Sequence, residues 1–169
     1  MIHKPQPGEH APYAAGYIGL VTTTDIIGLL EQLKASTYKL FSDMSDEQAM
    51  HSYAEGKWTL KQMLGHIIDT ERVFSFRAFV FSREGVELPG FDQDVYINNT
   101  DFSKRSIQDL ALEYKALREA TLFLYRSFTD EQSLRMGVAS NHPVSVRALV
   151  YMTAGHELHH LKIIKEKYL

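Results

Sequence analysis

Apolar positions recur at helical spacing over four long stretches of the chain, and the polar breaks between them carry helix-start signals. Ile26, Leu30, Leu33, Thr37, Leu40, Phe41 and Met44 predict a first helix over about 24 to 43, entered through a capping box from Thr22 to Asp25. Ser45 to Gln48 is a second capping box and predicts a short helical turn, after which 53 to 57 reads as loop. A second helix, about 59 to 82, is capped by Thr59 with Gln62 and places Leu60, Leu64, Ile67, Phe74, Ala78 and Phe81 on one face. The third opens at Ser106 to Asp109, carries Ile107, Leu110, Tyr114, Leu117, Thr121, Leu124 and Tyr125, and ends near Phe128. The fourth spans about 145 to 167, with Leu149, Met152, Thr153, His156, His160 and Ile163 facing inward.

The stretches between these helices show no sustained period. Residues 1 to 21 contain Pro5, Pro7, Gly8, Pro12 and Gly16 and read as an irregular arm, packed on the domain through Tyr13, Tyr17, Ile18 and Leu20. A connection from about 83 to 105 is long enough to act as a crossover between helices that run the same way. Residues 129 to 144 form another irregular link. No strand pattern rivals the helical ones, so the expected fold is all-α, a four-helix bundle formed by one domain over 1–169.

Composition narrows the function classes. At 169 residues, 44% hydrophobic and 23% charged, the chain has the make-up of a globular domain with a full core. A formal charge of -3 without a basic stripe argues against nucleic acid. The start of the chain lacks an apolar signal region, and no run reaches the roughly 18 apolar residues of a membrane span, so a cytoplasmic protein without membrane association is expected. There is no cysteine, which leaves His, Asp and Glu as the available metal ligands.

Gly155-His156-Glu157-Leu158-His159-His160 carries the chemistry. Its H-E-x-x-H register puts His156 and His160 one turn apart on one helix face, where both can bind a single ion. In a zincin protease Glu157 would be the base, but the third zinc ligand lies downstream there. Here nine residues follow His160, none of them histidine, and Glu166 comes too soon on the same helix. The third ligand must come from upstream, and His66, bordering the second helix's apolar stripe, is the candidate. Gly65 and Gly155, mid-helix glycines beside His66 and His156, suggest a close approach of backbone or ligand. Taken alone, His66 reads as an ordinary hydrogen-bonded histidine; two histidines at i, i+4 in the middle of an apolar stripe are harder to explain that way. Ligands about 2.1 Å from one metal must bring their nitrogens within about 5 Å.

His159 reads as a neighbour of the site, and His3, His10, His51 and His142 receive no role. Glu71 falls on an apolar stripe and is expected to pair with an arginine or a backbone donor, the alternative being to orient a ligand histidine. Phe74/Phe76 and Phe79/Phe81 are expected to pack. Trp58, Arg72, Arg77, Asp92, Asp94 and Tyr96 are available to line a substrate mouth. A di-iron carboxylate bundle needs Glu-x-x-His on two helices, and the one instance is Glu157 to His160.

Residues 56–66 (GKWTLKQMLGH), 69–72 (DTER), 88–94 (LPGFDQD) and 155–160 (GHELHH) resemble the DinB/YfiT-like superfamily, and the arm at 7–13 (PGEHAPY), with Tyr17 and Ile18, is similar to one branch of it. The resemblance covers nearly the whole chain. It implies up-down-down-up connections, a homodimer, and a divalent-metal triad of one histidine from the second helix and two from the last, here His66, His156 and His160, with zinc or nickel as the expected ion. It also implies a small-molecule substrate and, by likeness to members with assigned activities, S-transferase or isomerase chemistry with a low-molecular-weight thiol. Two alternatives stand beside it: a hydrolase with Glu157 as base, and a metal-binding, dimerising bundle without catalysis.

Overall fold

The computed structural model describes residues 2–169. A 3-10 turn (Pro12–Ala14) leads into α1 (Ala15–Leu20), followed by α2 (Ile26–Ser42), the single turn α3 (Asp46–Ala49) and α4 (Leu60–Phe81). The crossover holds β1 (Glu87–Leu88) and α5 (Gln93–Asn98) before α6 (Ile107–Arg126). Then come α7 (Asp130–Leu134), the hairpin β2 (Met136–Ala139) and β3 (His142–Ser145), and α8 (Val146–Lys167).

Local chemistry sets the helix starts. Ser45 with Gln48, and Thr59 with Gln62, form both halves of a capping box, while Ser106 and Ser145 accept from the backbone N–H three residues on. The expected box from Thr22 does not form. Asp25 caps α2 instead, accepting from the Gly28 N–H, so the helix begins at Ile26.

The long helices α2, α4, α6 and α8 make a four-helix bundle whose directions can be read from its core. One apolar cluster takes the first turns of α2 and α8 (Ile26, Leu30; Val146, Leu149) and the last turns of α4 and α6 (Ala78, Phe81; Leu122, Tyr125). The other takes the opposite ends: Phe41 of α2, Leu60 and Leu64 of α4, Ile107 and Leu110 of α6, and Ile164 of α8. Thus α2 and α8 run one way and α4 and α6 the other, the up-down-down-up order that a crossover makes possible. Between the clusters lies a buried polar layer contributed by all four helices: Thr37, Glu71, Arg118 and Glu157, with Tyr114 beside it.

Three expectations need correction. The 1–21 arm is not irregular throughout, because α1 forms against α8, where Gly155 lets the Tyr17 carbonyl come so close that any Cβ would overlap it. The two connections also carry structure: β1 pairs in parallel with β2, and β2 pairs antiparallel with β3 through a turn in which Ser140 and Asn141 take positive φ. This sheet fastens the crossover to the link before α8. Finally, Phe74 and Phe81 are buried as expected, but Phe76 and Phe79 are exposed. Among the described residues no helix is long and apolar enough to cross a membrane.

Candidate metal centre

His66 projects from α4 and His156 and His160 from α8, and all three are buried. Their Nε2 atoms converge: His66 to His156 is 2.8 Å, His66 to His160 is 3.1 Å, and His156 to His160 is 3.0 Å. These separations lie well inside 5 Å and a few tenths below the ~3.4 Å between two ligands of one tetrahedral zinc. Among the described residues this is the group of metal-ligating side chains close enough to share an ion.

The donor set fits a cation. A neutral imidazole carries one proton on its two nitrogens, so three converging Nε2 atoms cannot all be joined by N–H···N bonds. A proton on one serves one neighbour and leaves lone pairs facing each other elsewhere; a cation between them accepts all three. Burial reinforces the neutral form. It lowers the pKa of His66 to about 4 and of His160 to about 3, and pushes His156 well below its ordinary value, with the neighbouring histidines adding to the effect. If Nε2 faces an ion, Nδ1 holds the proton: that of His66 lies 3.5 Å from Thr70 Oγ1, while His160 Nδ1 is buried without a hydrogen-bond partner.

Aromatic rings wall the cluster. Trp58 lies 4.9 Å from the His66 ring, Phe74 6.1 Å from His156, and Tyr17 of the arm stands edge-on to both His156 and His159 at 5.5 and 5.3 Å. His159 is thus a neighbour that helps hold the arm.

Glu157 points away from the histidines. On the helix it turns about 100° from His156, into the polar mid-layer. Its Oε1 accepts from Thr37 and Tyr114, both at 2.6 Å, and its Oε2 accepts from Arg118 at 2.6 Å. With Oε1 held by two hydroxyls and Oε2 by the Arg118 guanidinium, all of them buried, the carboxylate is committed to the bundle core, which weighs against the role of catalytic base expected for Glu157. Glu71 shares the same arginine through two 2.8 Å bonds, the pairing expected for a carboxylate on an apolar stripe. Burial opposes the Arg118 charge, yet the two carboxylates hold its pKa well above the ordinary value.

Two grooves reach the cluster. The larger, about 490 Å³, ends on His156 and is lined by Tyr13, Tyr17, Phe74, Phe91, Asp92 and Asp94 among others. The smaller, about 290 Å³, ends on His160 between Tyr53, Lys57, Trp58 and Met63. Asp94, on α5 of the crossover, lines both. Of the other residues named for the mouth, Arg77 donates to the Pro89 carbonyl and to Ser140 and lies 5.6 Å from the Phe91 ring, against which Tyr96 also packs. Arg72 is tied to Asp69 and Glu113 and lines neither groove. Sequence reasoning offers Asp94 only as one carboxylate among several in an aperiodic loop, with nothing to mark its position between the two grooves.

The sequence pattern of the DinB superfamily matches residues 29–164. The chain is 28% identical over 150 residues to a protein of Oceanobacillus iheyensis named as a proposed metal-dependent hydrolase, the match covering 86% of each. YfiT of Bacillus subtilis, described as a proposed metal-dependent hydrolase with an unusual four-helix bundle topology, superposes with a TM-score of 0.76 at 19% identity over 97% of this chain and 90% of that one. A second Bacillus subtilis structure, the DinB-like YjoA, gives 0.61 at 22% identity over 85% and 88%. With its pattern matched over residues 29–164, most of the chain, the protein belongs to the DinB superfamily.

Proposed function

We propose that His66, His156 and His160 hold one divalent cation, of zinc or nickel type, through their Nε2 atoms, and that the chain is an enzyme acting on a small molecule there. The convergence of three buried Nε2 atoms carries this reading. When bound, such a cation supplies Lewis acidity that makes a thiol or a water a nucleophile near neutral pH. The residues of the chain do the rest: Trp58 and Phe74 pack beside the rings, Thr70 orients His66, and Tyr17 of α1 stands edge-on against His156.

Thiol transfer is the reaction we favour, because two grooves meet at one centre and a transferase must seat two partners. Hydrolysis is the second reading, supported by the names of the Oceanobacillus protein and YfiT. In either case we assign proton uptake to Asp94, which lines both grooves, in preference to Glu157. The test is a paired screen on zinc- and nickel-loaded protein: small thiols with alkyl electrophiles in one arm, esters and amides in the other. Metal-dependent thioether formation supports transfer, metal-dependent cleavage without thiol supports hydrolysis, and turnover in neither arm contradicts both.

A further inference from the structure

We infer that the larger groove is built for a ligand bearing a permanent or protonated cationic nitrogen, whose other end reaches His156. The inference takes the position of the reactive end from the metal reading above, while the charge preference stands on the groove itself.

Two independent features of the wall agree. The lining residues with a formal charge are both carboxylates, Asp92 and Asp94, and no lysine or arginine lines this groove. Asp92 gives one oxygen, Oδ1, to cap α5 through the Asp94 and Val95 N–H groups, and the Asp94 carboxylate has no hydrogen bond or ion pair among the described residues. The second feature is four aromatic rings, Tyr13, Tyr17, Phe74 and Phe91. Aromatic faces attract cations through the ring quadrupole, and carboxylates add a charge-assisted hydrogen bond where the nitrogen carries a proton. Arg77 is the nearby cation, but it lies behind the wall, with its guanidinium over Phe91 and bonded to Pro89 and Ser140. An anionic ligand would meet two uncompensated carboxylates; a neutral one would leave them unused. The smaller groove differs, since Lys57 lines it as well as Asp94.

The test is an amide NMR titration of the full-length protein, as purified and zinc-loaded, with three probes that share a benzyl group and are poor metal ligands: benzyltrimethylammonium, benzyl alcohol and phenylmethanesulfonate. The cation should shift Asp92, Gln93, Asp94 and Ser140 and bind roughly tenfold tighter than the alcohol, with the sulfonate weakest. Asp92→Asn with Asp94→Asn should erase that preference, asparagine still being able to cap α5. Gln93→Lys, at an exposed lining position, should weaken the cation and favour the sulfonate. Equal or tighter sulfonate binding, shifts confined to other surfaces, or an unchanged preference in both variants would overturn the inference. Zinc per chain, measured on the same samples, reports on the metal reading separately: no uptake with the charge order intact removes that reading alone, and uptake without the charge order removes this one alone.

Discussion

Arg118 reaches from α6 to Glu157 on α8 at 2.6 Å, and so a residue inside the metal-binding motif belongs to the core of the bundle. The same guanidinium holds Glu71 of α4 and donates to the Leu30 carbonyl of α2, so one side chain touches every long helix. The histidines stand on two of those helices. Their convergence depends on the α4–α8 spacing that this layer fixes.

Glu157→Gln should therefore behave as a stability variant. It keeps the size of the side chain but weakens the bond to Arg118, at a cost of about 1.5–3 kcal/mol for a charged hydrogen bond. Denaturant unfolding should show that loss, with metal content near wild type. An unchanged midpoint together with loss of catalysis would restore Glu157 to the chemistry.

Arg118→Met tests the layer more harshly. Removing the cation leaves two buried carboxylates unpaired, a change worth about 3–5 kcal/mol. The expected result is a large fall in unfolding midpoint, or failure to fold. A melt within about 0.5 kcal/mol of wild type, the range of ordinary surface substitutions, would contradict the account.

Gly155→Ala puts two effects in opposition. Alanine gains about 1 kcal/mol of helix propensity over glycine, but its Cβ would overlap the Tyr17 carbonyl, and a backbone atom cannot swing aside. Net destabilisation is expected, with faster hydrogen exchange confined to α1. A stabilised protein would mean that α1 is not held as described.

Acid should destabilise the metal-free protein in a defined window. The pKa of His66 is lowered to about 4 and that of His160 to about 3, by burial first. Unfolded histidines near 6.5 take up protons that the folded ones refuse. Stability is thus flat above about 6.5 and falls as pH drops toward 4 and then 3. Urea midpoints at pH 7.5, 6 and 5 should decrease in that order, less steeply in His160→Ala; a midpoint that rises toward pH 5 would contradict the burial of neutral rings.

The long helices were legible because two independent signals agreed at each: a cap such as Thr59 with Gln62, and an apolar stripe such as Leu60, Leu64 and Ile67. The hairpin was not, since β2 contains Gly137, β3 contains Pro143, and its turn is Ser140-Asn141 rather than a glycine turn. Helix α1 was hidden for a different reason. Proline at its entry and two glycines within it give it little propensity, and packing on α8 supplies what its sequence lacks. At the site, histidine spacing pointed to three residues that do converge, whereas the core partners of Glu157 were hidden because its motif says nothing about which helix it faces. Its partner Arg118 lies 39 residues away in sequence on another helix.

Three histidines sharing one ion should be visible in the metal content of protein purified without a histidine tag, with His66→Ala prepared alongside. About one equivalent of zinc or nickel per chain is expected, lost in the variant while the bundle stays folded. No metal in the native protein, even after incubation with both ions, would contradict the shared site.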